Sequence, residues 1–302
     1  MYRIIQKKYW WFVLSGLILV PGIVFLSLGG LKPNIDFTGG TIWQLNFPAN
    51  RPNTQDLQAK LKELGLPTES IQPSGDQGMT IRSQTIDNEK RAALLDGLNQ
   101  SYGNVQEESF ESVGPTIGKE LQSRAVQAVI FVMLGIIIYI TIAFRKISKT
   151  TIIPSWVMGV AAVIALVHDM IVILGVYAFL GYFYQVEVGA LFITALLTIL
   201  GFSVHDTIVV FDRIRENMLH GAANNFEETI NQAINQTLAR SLNTSLTTLF
   251  VLTALYFFGG DSIRWFVFAM IVGIIAGTYS SIFVASPLLV VWQKLKTRRQ
   301  AR

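Results

Sequence analysis

Three ionisable side chains stand in or beside stretches of sequence that are apolar enough to cross a membrane. Asp169 lies in ALVHDMIVIL, Asp206 lies in FSVHDTIVVF, and Arg240 follows NNFEETINQAINQTLA. An ionisable group in hydrocarbon costs from about 3 to over 10 kcal/mol, so such residues usually face protein or water and mark a pathway. Proton transfer or charge pairing is therefore the chemistry that these residues could support.

The composition places these residues in a membrane protein. Of the 302 residues, 51% are hydrophobic and only 15% are charged, which is too apolar for an ordinary soluble enzyme. A helical crossing needs about 20 apolar residues. We predict a polytopic α-helical membrane protein with six transmembrane helices, at roughly 10–30, 124–144, 154–180, 188–211, 241–259 and 264–292. The absence of cysteine excludes disulfide bonds and thiol chemistry.

Basic residues indicate the orientation, because Lys and Arg collect on the cytoplasmic side. Four groups fall on one side of the predicted bilayer, and the first span reads as an uncleaved anchor. We predict that both termini are cytoplasmic. The net charge of +4 then reflects orientation and gives no support for nucleic-acid binding. The four groups are Arg3, Lys7 and Lys8; Arg145, Lys146 and Lys149; Arg213 and Arg215; and Lys294, Lys296, Arg298, Arg299 and Arg302.

The segment between the first two spans is predicted to be a domain outside the cytoplasm. Alternating strands and two helical patterns follow one another in the order βαββαβ over residues 31–123. This order predicts an α+β ferredoxin-like extracytoplasmic domain. The chain then divides into a first transmembrane helix, 1–30, this domain, and a five-helix transmembrane domain with a cytoplasmic tail, 124–302.

The spacing of the two aspartates predicts that they lie at different depths. Asp169 is roughly 22 Å beyond Pro154, whereas Asp206 is only six residues before Asp212, or roughly 9 Å from the inner edge. Arg240 lies near the inner boundary and is better placed to meet Asp206. Beyond it, polar residues recur at helical spacing and predict a polar helix face that could line a wet cavity; they are Ser241, Thr244, Ser245 and Thr248.

Two interpretations of the pair remain open. Burial and a nearby guanidinium act in opposite directions on the proton affinity of a carboxyl, so a movement of Arg240 could make Asp206 take up or release a proton. A permanent salt bridge between them would instead only hold two helices together. Asp169 could belong to the same path or serve in packing, and His168 and His205 could relay protons or simply pack.

Other chemistry has little support in the sequence. The two His-Asp pairs do not make a metal-site motif, and no catalytic or nucleotide-binding motif occurs, so we predict no metal, no cofactor and no enzymatic activity. After Asp206 the signature turn with Asp212, Arg213 and Arg215 is expected at the cytoplasmic interface. There Asp212 and Arg215 should attract each other at spacing i,i+3.

Four motifs resemble the SecF subunits of the bacterial SecD/SecF protein-export complex, and the resemblance covers nearly the whole chain. They are IDFTGGT, ESVGPTIGKEL, GFSVHDTIVVFDRIREN and LARSLNTSLTTLFVLTALYFFGG. His205 departs from the family, whose members commonly carry Asn before the signature Asp. The resemblance implies that the family's proton-pathway Asp and its partner Arg fall on Asp206 and Arg240.

The resemblance also implies a function. SecF-like proteins of this proton-driven superfamily pair with SecD in the plasma membrane, associate with the SecYEG channel, and use the proton gradient to help preproteins leave the membrane after ATP-driven insertion. Two alternatives remain: a passive factor that only holds a translocon together, and a small-molecule exporter of the same superfamily. The small outer domain weakens the second alternative.

Overall fold

The computed structural model describes residues 2–144, 153–220 and 225–300. Of the basic residues used to predict the orientation, Arg145, Lys146, Lys149 and Arg302 lie outside these residues. The chain divides into two units, one formed by Pro33–Val126 and the other by Met1–Lys32 together with Gln127–Arg302. We refer to them as the sheet unit and the membrane unit.

The described residues form ten α-helices and four β-strands. A short 3-10 turn, Ile5–Lys7, precedes the first helix, and a five-residue π-helical turn, Ser281–Ala285, joins the last two. The elements are α1 Lys8–Leu28, α2 Ile35–Thr38, β1 Gly40–Asn46, α3 Thr54–Glu63, β2 Thr68–Ser74, β3 Gly78–Ser83, α4 Asn88–Tyr102, β4 Gln106–Val113, α5 Pro115–Ala143, α6 Ser155–Tyr184, α7 Ala190–Leu219, α8 Phe226–Phe258, α9 Asp261–Ser280 and α10 Ser286–Gln300.

The sheet unit has the predicted ferredoxin-like βαββαβ fold. Its four strands lie in the order β2-β3-β1-β4, and each neighbouring pair is antiparallel. Alternation along β1 buries Trp43 and Leu45 against leucines of α3 and α4. Asn53 and Asp87 begin the two helices, because each side chain accepts a hydrogen bond from a backbone N–H in the first turn.

Two of the sequence motifs meet where the chain enters and leaves the sheet unit. Gly39 of IDFTGG has a left-handed backbone, and a Cβ there would lie 2.8 Å from the Cα of Pro115. A Cβ on Gly118 would lie 2.9 Å from the carbonyl oxygen of Phe37. The glycines of both motifs are therefore explained by close backbone approach.

The six predicted transmembrane helices are confirmed, since six helices within the described residues are long and apolar enough to cross a membrane. They are Ile5–Leu28, Pro115–Ala143, Ser155–Tyr184, Ala190–Leu219, Phe226–Phe258 and Asp261–Arg299. Several extend beyond the predicted spans. The fourth continues without a break from Asp212 to Leu219, and the fifth begins at Phe226 rather than near residue 241.

Small residues allow the helices of the membrane unit to pack closely. On α9, a Cβ at Gly277 would lie 2.9 Å from the Cβ of Ser203 on α7, and one at Gly273 would overlap Ile199. On α6, a Cβ at Gly175 would lie 2.5 Å from the Cα of Gly22 on α1. Without a hydrophobic driving force in lipid, such close contacts supply much of the packing energy.

An ionic cluster joins three helices at one end of the membrane unit. Glu227, at the start of α8, binds Lys8 at 2.7 Å through one oxygen and Lys294 of α10 at 2.6 Å through the other. The side chain of Asn231 accepts hydrogen bonds from the backbone N–H groups of Ile4 and Ile5. The basic residues near the N-terminus and those of α10 thus lie at the same end of the unit.

Candidate functional site

Asp169 is fully buried and joins three helices. Its Oδ2 accepts hydrogen bonds from Ser203 of α7 at 2.6 Å and from Ser280 of α9 at 2.7 Å, while its Oδ1 lies 3.0 Å from Nδ1 of His168. Every oxygen of this carboxyl group has a partner. This geometry fits the packing and hydrogen-bonding role that the sequence left open for Asp169.

Asp206 is also buried but has only one of its oxygens satisfied. Oδ1 accepts a hydrogen bond from Ser241 of α8 at 2.5 Å, and Oδ2 has no hydrogen-bond partner among the described residues. A buried, unpartnered carboxyl oxygen is costly in a packed interior, and its free lone pairs are available to a proton or a water molecule. Of the two buried aspartates, Asp206 is therefore the one whose carboxyl group can still bind a proton or a water molecule.

The predicted difference in depth is wrong. Asp169 bonds to Ser203, which lies three residues, or about 4.5 Å of helical rise, before Asp206 on α7. The prediction treated Asp212 as the membrane edge, but α7 continues to Leu219. Measured from the ends of their helices, Asp169 is 14 residues past Ser155 and Asp206 is 13 residues before Leu219, so the two lie at nearly the same level.

The structure does not form the expected contact between Asp206 and Arg240. Ser241, the next residue on α8, takes that place, and Arg240 is exposed without an ion pair among the described residues. Successive helical residues point about 100° apart. Because Ser241 faces α7, Arg240 must point along a different side of α8. The permanent salt bridge that was one reading of this pair is absent from this structure.

The two histidines of the repeated His-Asp pairs lie in different surroundings. His168 is buried, contacts Asp169, and stacks on the ring of Tyr279 with centroids 5.9 Å apart. Its Nε2 has no hydrogen-bond partner within the described part of the chain. His205 is exposed on α7. The structure therefore brings His168 to Asp169 and turns His205 outward.

The polar face predicted for α8 divides into two. Ser241 and Ser245 are buried, and the hydroxyl of Ser245 bonds to that of Thr278 on α9 at 2.5 Å. Thr244 is exposed and Thr248 is half-buried, and both hydroxyls donate to backbone carbonyls of their own helix. Among these four residues, the two serines are the ones with a hydrogen bond to another helix within the part of the chain that the structure describes. The exposed polar residues along the other side are Arg240, Asn243, Thr244 and Thr247.

The signature turn lies near the end of α7, where its charged side chains are mostly exposed and form ion pairs with one another. Arg215 binds Asp212 at 3.1 Å, which confirms the expected i,i+3 attraction. Arg213 binds Glu216 at 2.6 Å and also donates to Gln236 of α8 at 2.6 Å. The hydrogen bond from Arg213 to Gln236 thus joins α7 to α8 at a point more than one helical turn beyond Asp206.

Sequence reasoning missed the hydroxyl groups that surround Asp169. Ser203 and Ser280 donate to its carboxyl group, and Ser281 binds Thr207 at 2.8 Å in the π-helical turn. The signal was present as the cluster YSS in an apolar run and as a serine three residues before Asp206. Serine is common in apolar helices, however, and only the packing of α9 on α7 shows which ones converge.

Comparisons with known proteins agree with this architecture. Residues 94–295 match the family described as "Protein export membrane protein SecD/SecF, C-terminal". The chain is 44% identical to the protein translocase subunit SecF of Thermobaculum terrenum, covering 97% of this chain and 94% of that protein. It is 38% identical to the SecF of Synechocystis sp., with the same shares covered.

Solved structures give the same result. The crystal structure of SecDF, a translocon-associated membrane protein from Thermus thermophilus, matches with a TM-score of 0.79 and 35% identity. A second SecDF structure, in a super-membrane-facing form, matches with a TM-score of 0.70 and 33% identity. Each match covers nearly all of this chain, 97% and 99%, but the chain spans only 39% and 40% of those SecDF chains.

Proposed function

The chain belongs to the SecD/SecF protein-export family, as a SecF-type multi-pass membrane protein, and on that premise we propose that it is the proton-carrying SecF subunit of a complex that promotes preprotein translocation. Asp206 would take up and release the proton. The observation that carries this proposal is the unpartnered Oδ2 of Asp206, buried inside a membrane-spanning helix. A structural carboxylate would be expected to have both oxygens satisfied, as Asp169 does.

We assign the partner from the exposed polar residues of α8. Arg240, Asn243, Thr244 and Thr247 recur at three and four residues and share one side of the helix. Polar and charged groups are expensive against lipid, so another protein is needed to cover them. SecD is the natural candidate, because the matched SecDF chains are more than twice as long as this one and leave room for a second half.

Arg240 would act in another step of the cycle. A shift of α8 or α7 that replaced Ser241 by Arg240 beside Asp206 would exchange a neutral hydroxyl for a guanidinium and favour the charged carboxylate. Moving back would favour proton uptake. The proposed work of the cycle is motion of the sheet unit against a preprotein emerging from the SecYEG channel.

The proposed location is the plasma membrane, with both termini in the cytoplasm. The basic residues Arg3 and Lys7 lie at the same end of the membrane unit as α10, whose last turn carries Arg298 and Arg299. By the positive-inside rule this end faces the cytoplasm.

The test is to measure proton flux and preprotein release in vesicles that contain the chain together with SecD and SecYEG. Asp206→Asn should reduce both to the level of vesicles without the chain. Asp212→Asn is the matched control, because it removes an exposed carboxylate from the same helix, and it should leave both near wild type. Wild-type flux and release in Asp206→Asn would refute the proposal. If, in addition, deletion of the sheet unit abolished release, the passive assembly role would be selected.

A further inference from the structure

A large apolar groove lies on the membrane unit, and Asp206 is not among the residues that line it. Its volume is about 770 Å³, and it is bounded by α1, α8, α9 and the π-helical turn. The walls are almost entirely apolar and include Trp11, Leu242, Leu246, Leu249, Ile275 and Phe283. Leu246 and Ile275 are about half exposed. This volume is typical of a small-molecule binding site.

The groove is about as long as one leaflet of a bilayer is thick. Along α8 its lining runs from Leu238 to Leu249, a rise of about 16 Å at 1.5 Å per residue. The hydrocarbon core of a bilayer is about 30 Å thick. The groove is therefore about as long as half of that core, which is the share of one leaflet.

Two cations stand at the end of the groove nearest the N-terminus. Arg3 and Lys7 line it and are exposed, and neither forms an ion pair within the described ranges. Lys8 differs sharply, since it is buried and bound to Glu227 at 2.7 Å. The two basic residues that face the groove therefore carry charges that no acidic side chain in the described part of the chain neutralises.

The backbone that carries these cations is held in place. Asn235 accepts a hydrogen bond from the backbone N–H of Tyr2 at 2.7 Å and donates to its carbonyl at 2.9 Å. Asn231 accepts hydrogen bonds from the backbone N–H groups of Ile4 and Ile5, and the indole N–H of Trp11 donates to the carbonyl of Ile4 at 3.0 Å. The groove's charged end is therefore built by specific contacts on either side of Arg3.

The polar groups of the deeper wall already have partners. Ser245 and Thr278 bond to each other at 2.5 Å, and Tyr279 donates to the carbonyl of Trp11 at 2.8 Å. Such a wall offers little to water or to a polar solute and suits a hydrocarbon chain. The arrangement combines a dry groove one leaflet long with two available cations at its interfacial end.

We propose that this groove is a binding site for an anionic phospholipid of the adjacent leaflet. An acyl chain would lie along Leu246, Leu249 and Ile275, and the phosphate would be held by Arg3 and Lys7. Phosphate accepts charge-assisted hydrogen bonds from both kinds of cation. A zwitterionic phospholipid has the same phosphate but also an ammonium group, which the two cations repel. We therefore expect an anionic lipid to bind roughly 30-fold more tightly than a zwitterionic one, which corresponds to about 1 kcal/mol for each cation.

Native mass spectrometry of the full chain in detergent tests the charged end. The probes are phosphatidylglycerol, phosphatidylethanolamine with the same acyl chains, and inorganic phosphate. We expect phosphatidylglycerol to be preferred by the wild type and by Arg298→Gln/Arg299→Gln, a matched loss of two exposed charges from α10. Arg3→Gln/Lys7→Gln should lower its affinity to that of phosphatidylethanolamine. Equal affinities in the two double variants would overturn the proposal, as would phosphate displacing the lipid at equal concentration.

A second pair of variants tests the apolar wall. Leu246→Trp should fill the groove and weaken both lipids about tenfold, whereas Phe250→Trp, on an exposed part of α8 outside the groove, should not. Melting temperatures within a few degrees of wild type establish that each variant is folded. If Leu246→Trp leaves lipid binding unchanged but removes a co-purifying membrane protein, then a protein helix occupies the groove and the lipid assignment is wrong.

Discussion

Mutation of Asp169 should destabilise the protein much more than mutation of Asp206, although both are buried aspartates at nearly the same level. Asp169 accepts hydrogen bonds from two other helices, at 2.6 and 2.7 Å. Leaving a buried polar group without its partner costs about 1–3 kcal/mol, and Ser203, Ser280 and His168 would each lose a contact, so the total should be about 3–5 kcal/mol. Asp169→Ala should therefore destabilise the membrane unit by about that amount, since it leaves the hydroxyl of Ser203 without its acceptor.

Asp206 should contribute much less to stability. Asp206→Ala removes one hydrogen bond, from Ser241 at 2.5 Å, but also removes a buried oxygen that has no partner among the described residues. The loss and the gain are each about 1–3 kcal/mol, so the net change should be about 1 kcal/mol or less. Asp206→Asn should be nearly neutral for stability while it abolishes proton-coupled activity.

Thermal unfolding in detergent, followed by intrinsic fluorescence, measures the difference. At about 2–4 °C per kcal/mol for a unit of this size, Asp169→Ala should lower the melting temperature by roughly 6–20 °C and Asp206→Ala by no more than about 4 °C. Asp169→Asn should lose less than Asp169→Ala, because its amide oxygen still accepts from the two serines. A melting temperature of Asp169→Ala within 2 °C of wild type, or an equal fall in both alanine variants, would refute the reasoning.

Three further predictions use the same measurement. Glu227→Gln should destabilise the membrane unit by about 3 kcal/mol because it leaves the buried Lys8 without its counter-ion. Lys294→Gln is the control: it removes the exposed partner of Glu227 and should cost less than about 1 kcal/mol. An equal loss of stability in the two variants would contradict this prediction. Gly277→Val should cost about 1–3 kcal/mol, because the added side chain clashes with Ser203 and pushes α9 away from α7. An unchanged melting temperature would show that the two helices can move apart without loss of stability. In the sheet unit, Glu107→Gln should cost about 1–3 kcal/mol, since Glu107 accepts a hydrogen bond from Trp43 at 2.8 Å and pairs with Arg91. Glu108→Gln, at an exposed position of the same strand, is the control. An equal cost in Glu108→Gln would show that the contacts of Glu107 with Trp43 and Arg91 do not account for the loss.

The sequence predicted the elements because their patterns are local. Six apolar runs of spanning length and a βαββαβ alternation each follow from residues that are near one another in the chain. The ferredoxin-like fold and the six helices were therefore predicted correctly. The ends of the helices were less accurate, since the charged turn from Asp212 onward was taken for the membrane exit, and α7 continues through it to Leu219.

The contacts of the site could not be predicted in the same way. Arg240 and Ser241 are neighbours in sequence but point about 100° apart on α8, and no local signal shows which of them faces α7. The guanidinium was favoured because Arg240 was predicted to lie at a depth similar to that of Asp206, whereas the packing places Ser241 at Asp206. The serines around Asp169 come from helices 34 and 111 residues away, so their convergence depends on the close α7–α9 contact at Gly273 and Gly277.

The π-helical turn at Ser281–Ala285 also affects how relatives of this chain should be aligned. Such a turn holds one residue more than an α-helix of the same length, so a relative with one residue fewer there could keep a continuous last helix. Because the turn absorbs the extra residue, the residues beyond the gap would keep their orientation relative to those before Ser280. The residue aligned with Lys294 would still face the one aligned with Glu227, and the cluster that ties α1, α8 and α10 together would be preserved. A single-residue gap in an alignment therefore marks the loss of the π-helical turn, and it belongs within Ser281–Ala285, so that the residues of α10 stay aligned.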